Sequence, residues 1–241
     1  MAQSEDFDGH KAAISAYDIV VTRGGGRMVA DAYAALGARA CVSIPCAIDP
    51  AANYPVEPQD RFSAQLAFLG NRRSDREARI ESFFLRAAEN LPESTFLLAG
   101  NGWENKQLPL NVRRMGHVYT NDHNAFYSTP LAVLNVTREG AARCGYAPGT
   151  RLFEAAGAGA CIITDQWRGI EEFLEPGSEV LIARDGSEVA EHLAELDEGR
   201  AHTIGEAARH RVLAYHTYAQ RVQQLEGAIE GVWETVGRGG L

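Results

Sequence analysis

Lysine is almost missing from this 241-residue chain: Lys11 and Lys106 are the only two, and arginine supplies the other basic side chains. Any anion site must therefore rest on guanidinium groups and backbone N–H groups. An excess of positive charge is missing as well. The formal net charge is −9, which argues against a nonspecific nucleic-acid binder, because a phosphate backbone demands a basic face. No run of about 18 apolar residues occurs, so no transmembrane helix is expected. The N-terminus, MAQSEDFDGHK, has neither the basic nor the apolar segment of a signal peptide, and the expected location is the cytoplasm. The four cysteines, Cys41, Cys46, Cys144 and Cys161, form no C-x-x-C pair. A structural zinc site or a disulfide framework is not expected, and reduced thiols are.

Motifs for common chemistries are missing too. There is no G-x-G-x-x-G, no G-K-[ST] Walker loop, no H-E-x-x-H and no G-x-S-x-G. The seven histidines are scattered and form no metal-like cluster with cysteine. No metal or other cofactor is expected.

What the chain does have is alternation. Short apolar runs at 18–22, 40–44, 65–69, 95–99, 131–136, 160–164 and 179–183 read as strands, with a further short strand within 112–118. Helical patterns fall at 28–36, 75–90, 121–128 and 151–158, and from the last strand to about 235. This order implies right-handed βαβ units and a parallel sheet. LAVLNV and ACIIT are apolar on both faces, as a sheet covered by helices on both sides requires. The series from about 63 onward suffices for a Rossmann-like domain. The first 50 residues do not: two strands and one helix cannot close a core. Residues 49–62, rich in Pro, Ala and acidic groups, read as a linker.

Three segments could carry chemistry. GNRRSDR at 70–76 follows a strand and opens a helix, where ligands of open α/β sheets sit. Arg72 and Arg73 could neutralise a diphosphate there, or Ser74 or Asp75 could simply cap the helix. AGNGW at 99–103 ends another strand; its glycines allow close backbone approach, or only a tight turn. In APGTRLFEAAGAGACIITD at 147–165, Pro148 and Gly149 precede a helix whose free N–H groups could face an anion. Glu154, near that helix's N-terminal end, could accept from a pair of sugar hydroxyls or merely complement the helix dipole. RGGGR at 23–27 is weaker: it could touch an anion or only turn.

Taken in order, AFLGNRRSDRE, FLLAGNGW, VRRMGHVY, LAVLNVTRE, PGTRLFEAAGAGACIITD, GIEEFLEPGSEVLIARD and HTYAQR give the stretch from 66 to about 225 a resemblance to a known family. It resembles the C-terminal domain of family 1-type GT-B glycosyltransferases, closest to the group similar to the spore-maturation protein CgeB. The start, YDIVVTRGGG through CAIDP, resembles the last βαβ unit of the N-terminal, acceptor-side domain of such enzymes. The segment with His216, Thr217, Tyr218 and Arg221 resembles the helix that returns towards that domain. The implied organisation is 1–50 as remnant of the N-terminal domain, 51–63 as linker, 64–215 as a Rossmann-like nucleotide-sugar-binding domain, and 216–241 as crossover helix and tail.

The resemblance implies a sugar transferred from a nucleotide-diphosphate donor to an unknown acceptor, without a metal and with retention at the anomeric carbon. Gly70, Asn71, Arg72 and Arg73 would lie near the diphosphate, and Asn101, Gly102, His117 and Val118 near the base. Gly149 and Thr150 would present backbone N–H groups to the phosphates, Arg151 would belong to the same donor-binding set, and Glu154 would hold the ribose. Related enzymes often carry an acidic residue eight positions before that glutamate; here the position is Tyr146. Asp6-Phe7-Asp8 spells the D-x-D of metal-dependent glycosyltransferases but is set aside, being at a terminus expected to fray. Two rivals remain: a noncatalytic nucleotide-sugar-binding subunit, and an NAD-dependent oxidoreductase, against which the missing G-x-G-x-x-G speaks. The open apolar strands of the first 50 residues are expected to be covered by the C-terminal helix, a homodimer or a partner subunit.

Overall fold

A computed structural model describes residue 11 and residues 13–237, with side chains up to residue 232; Asp6-Phe7-Asp8 lies outside the described residues. Two strands come first, β1 (Val20–Thr22) and β2 (Cys41–Ser43), paired in parallel and joined through helix α1 (Gly26–Ala35). A six-stranded sheet follows: β3 (Leu66–Leu69), β4 (Phe96–Ala99), β5 (Val112–Met115), β6 (Ala132–Asn135), β7 (Ile162–Asp165) and β8 (Leu181–Ala183). Its order is β5-β4-β3-β6-β7-β8, and every pairing is parallel. This is the α/β, Rossmann-like sheet expected. The strands fall where the apolar runs fall, to within a residue or two.

The doubly apolar strands work as their composition demands. Ala67, Leu69, Leu97, Ala99 and Val133 point into one core. Their strand neighbours Leu66, Phe68, Phe96, Leu98, Ala132 and Leu134 point into the other, as the two-residue period of a strand requires. Helix α2 runs from 77 to 90 as Glu77–Ile80, a π-type turn Glu81–Leu85 and Arg86–Asn90. The remaining helices are α3 (His123–Ser128), α4 (Glu139–Cys144), α5 (Thr150–Gly157), α6 (Gly186–Glu195), α7 (Glu198–Tyr215) and α8 (Tyr218–Gly237). Helix α4 was not expected from the sequence. Its residues, EGAARC, carry no apolar stripe, and none of them is buried.

β3 and β6 lie side by side, but the chain winds away from them in opposite directions. That makes the gap beyond their carboxyl ends the topological switch point of the sheet, where open α/β folds hold ligands.

The N-terminal unit has little core of its own. No residue of α1 is buried, and Val21, Met28 and Leu36 are exposed. Among the described residues, backbone hydrogen bonds tie it to the rest at two places. At the first, the Gly25 N–H donates to the Tyr146 carbonyl at 3.2 Å. Gly24 has φ +154°, and a Cβ there would stand 2.3 Å from that same oxygen, so only glycine fits. At the second, the chain after β2 crosses the junction of α7 and α8. The Ile48 N–H donates to the His216 carbonyl and the Tyr218 N–H to the Ile48 carbonyl, both at 2.9 Å. Arg221, buried, donates to the carbonyls of Pro45 and Cys46 and to His216 Nδ1. The segment read as a linker packs on the six-stranded unit: Phe62 is buried, edge-to-face on Phe126.

His216 carries a pH prediction. Burial, then the charges of Arg221 and Arg211, push its imidazole down to about 4 from an ordinary 6.5. The unfolded chain therefore binds this proton more readily than the fold does, so this group's contribution falls as pH drops from 6.5 and is lost below about 4. Denaturant unfolding of wild type and His216→Gln across that window should show a steeper acid loss in the wild type. Parallel profiles would mean that other groups set acid stability.

Candidate functional site

A cleft of about 730 Å³ opens over the carboxyl ends of β3 and β6. Of the residues expected at a donor site, Gly70, Asn71, Arg73, His117 and Val118 line it. So do Gly149, Thr150, Arg151 and Glu154. The loop at 70–73 and the start of α5 thus face the same space. Arg72, Asn101 and Gly102 are not among its lining. The Arg72 guanidinium instead pairs with Glu77, at 2.8 and 2.7 Å, and the bond holds the Glu77 carboxyl down at about 2. The turn of Asn101 and Gly102 braces the other loop: the Arg72 N–H donates to the Asn101 carbonyl, and the Asn101 N–H to Asn71 Oδ1. Which of two adjacent arginines faces a cleft depends on loop geometry that sequence alone does not show.

The floor is cationic in an unusual way. Arg76 stands at the N-cap position of α2 and Arg138 at that of α4, neither with a side-chain cap, and Arg151 lies in the first turn of α5. Three cations therefore sit where helix dipoles disfavour them, by roughly 0.3–1 kcal/mol each at exposed sites. Arg76 and Arg151 both stack on Phe68, at 5.2 and 4.9 Å. Their Nη2 atoms flank Gly70, whose missing Cβ would come within 2.7 and 2.8 Å of them. Neither forms an ion pair among the described residues. Arg76 is 7% exposed; its Nη2 donates to the Asn71 carbonyl and its Nε finds no partner. Burial, then repulsion from Arg151 and Arg138, pushes Arg76 down to about 10. Burial also lowers Arg151. Nearer the rim, Arg73 and Arg138 share Asp75, at 3.5 and 3.8 Å.

Arg76, Arg138, Thr137, Tyr127 and His123 line the cleft without having been singled out in the sequence. For Arg76 a signal existed: a cation at a helix start, where an acid is the rule. For Tyr127 there was none, since an aromatic on a short helix reads as core. The opposite wall comes from Arg23, Gly24 and Gly25. Tyr146 has φ +50°, alone among described non-glycine residues in that region. Its ring meets Gly26, Gly169 and the Arg168 guanidinium, and it lines a second cavity rather than the first.

The sheet thus carries, beyond its switch point, a cleft floored by arginines with a carboxylate beside them, at the place where open α/β folds hold ligands. The sequence gives the class: the family profile described as glycosyl transferase-like matches residues 72–227, and the chain belongs to that family. No curated protein matches significantly. Among solved structures, TarM aligns over 93% of this chain and 46% of its own, at 13% identity and TM-score 0.70. Sucrose-phosphate synthase from Thermosynechococcus elongatus aligns over 97% and 63%, at 17% and 0.71. Anabaena Alr3699/HepE, solved with UDP-glucose, aligns over 89% and 64%, at 16% and 0.66. The fold is that of the GT-B glycosyltransferases, and the chain spans about half to two thirds of these proteins' length. Among the described residues no helix is long and apolar enough to cross a membrane.

Proposed function

We propose that this cleft binds a nucleoside-diphosphate sugar and that the chain takes part in transferring the sugar to an acceptor. The observation that carries the reading is the pair Arg76, buried, and Arg151, half-buried, which form no ion pair among the described residues and meet at the switch point. In this reading they meet the diphosphate together with Arg73, Arg138 and the first N–H groups of α5. Glu154 accepts from the ribose hydroxyls, and the base lies by His117 and Val118. Departure of the diphosphate is the hard step. Preplaced guanidinium and N–H groups in a partly dry cleft stabilise the charge that develops there, without a metal. Retention at the anomeric carbon and a place among the CgeB-like members follow from the sequence resemblance. Residues 1–50 are read as the acceptor side, with the Arg23–Gly25 wall facing the donor. The exposed Val21, Met28 and Leu36 are read as covered by further protein, in a homodimer or by a partner.

A second reading, a noncatalytic donor-binding subunit, is favoured by Tyr146: the position where related enzymes often carry an acid holds an aromatic turned away from the cleft. Thermal-shift screening against a panel of nucleotide sugars tests donor binding, since a ligand of the folded state alone raises its stability. Assaying hydrolysis and transfer then separates the readings. Binding with turnover supports the enzyme, binding without turnover the subunit, and no shift with any donor ends both.

Glu154→Gln keeps the size but removes the charge. It should weaken nucleotide binding by about 1.5–3 kcal/mol, the range for hydrogen bonds to charged groups, and leave the melting temperature nearly unchanged. Unchanged affinity with a lower melting temperature would make Glu154 a structural residue.

A further inference from the structure

We infer that Tyr127 is the residue that positions Glu154 for the ribose, an assignment that rests on the donor reading above. Tyr127 sits on α3 and is 1% exposed, yet it lines the cleft. Its hydroxyl donates to Glu154 Oε2 at 3.4 Å, the one side-chain hydrogen bond of Glu154 among the described residues. Glutamate has three rotatable bonds, and on the first turns of a helix at a cleft wall it would otherwise sweep several rotamers. That contact biases the carboxylate towards one rotamer and leaves Oε1 without a hydrogen bond among the described residues. Oε1 is an acceptor of the kind that a vicinal diol needs.

The scaffold beneath Tyr127 is rigid. Its ring packs edge-to-face with Phe126 and His123. Ser128, next along the chain, donates to the Ala158 carbonyl at the end of α5 and accepts from the Val56 N–H. Helix α3 is thereby pinned to the helix that carries Glu154. Burial raises the phenol well above its ordinary range, with the neighbouring Glu154 adding to the effect and Arg151 opposing it. The hydroxyl therefore keeps its proton and acts as a donor at any working pH. It is a positioning residue, not an acid or base. Arg151, three residues before Glu154 on α5, lies within electrostatic reach of both. The phenol thus stands between the group assigned to the ribose and one assigned to the phosphates.

The alternative is a core tyrosine whose hydroxyl merely finds a partner. The test is calorimetric titration of the full chain with UDP, ADP, GDP and CDP, then of the tightest of these against its 2′,3′-dideoxy counterpart. In Tyr127→Phe, the ribonucleotide should lose about tenfold in affinity, the low end for a hydrogen bond to a charged group. The dideoxy nucleotide should lose about twofold or less. In a Glu154→Gln background, Tyr127→Phe should have little further effect, because the two act through one contact. Equal losses for both nucleotides, no loss for either, or independent multiplying effects of the two substitutions would each overturn the assignment. A wild-type chain that binds none of the four sinks the donor reading itself. A wild type that prefers the ribonucleotide, with a Tyr127→Phe variant that keeps the whole preference, sinks only the role of Tyr127.

Discussion

Replacing both Arg76 and Arg151 by Gln will weaken nucleoside-diphosphate binding by about 3–6 kcal/mol, the range for two charge-assisted contacts taken together. It will also make the unliganded protein more stable. The two effects share one cause. Burial and neighbouring arginines push Arg76 down to about 10. Below that pH the guanidinium is charged in both folded and unfolded chains, so the fold bears the whole penalty, on the order of 3 kcal/mol. The penalty fades only as pH rises through the folded value. Gln at 76 removes it but gives up the bond to the Asn71 carbonyl and the stacking on Phe68. The net gain should be about 1–2 kcal/mol, a rise of a few degrees in melting temperature. Thermal melts with and without ligand read both signs at once. A double variant that melts lower and binds as before would show the two arginines to be structural.

Asp165→Ala should be the most destabilising single change near the cleft, by about 3–5 kcal/mol, the range for breaking a buried ion pair on one side. Asp165 ends β7 and is fully buried. Its carboxylate accepts from Arg79 Nη2 at 2.5 Å, from the Thr137 N–H at 2.8 Å and from Thr164 Oγ1 at 3.3 Å. Removing it strands a guanidinium and a backbone donor together. The Thr137 bond also sets the course of the chain into Arg138, so the cleft should loosen as the fold weakens. Asp165→Asn can keep an oxygen towards Thr137 and lose only the charge, and should cost less. Urea unfolding of the three proteins checks the order. Equal stability of Asp165→Ala and wild type would mean that Arg79 finds another partner.

The central strands were legible because buried parallel strands are apolar, and LAFL, FLLA and the ACII run that opens β7 leave little else to be. Helix α4 was not legible, because a short helix without an apolar face has no period to detect. The cleft was legible where backbone placement decides the matter, as at Gly70, Gly149 and Glu154. It was not where side-chain direction decides. Arg72 turns to Glu77 while Arg73 and Arg76 line the cleft, and nothing in NRRSDRE distinguishes them except the dipole at the helix start. The contact of Gly24 and Gly25 with Tyr146 joins residues more than a hundred positions apart, and no local pattern could announce it.

The central claim is that the space beyond β3 and β6 holds a nucleoside diphosphate. Amide chemical-shift mapping of the isotopically labelled chain, titrated in turn with UDP, ADP, GDP and CDP, tests it most directly. At least one nucleotide should shift the amides of Asn71, Val118, Arg138, Thr150 and Glu154 saturably, and leave those of Arg79 and Arg184, which line a separate surface hollow, in place. Saturable shifts confined to that hollow, or none with any of the four, would contradict it.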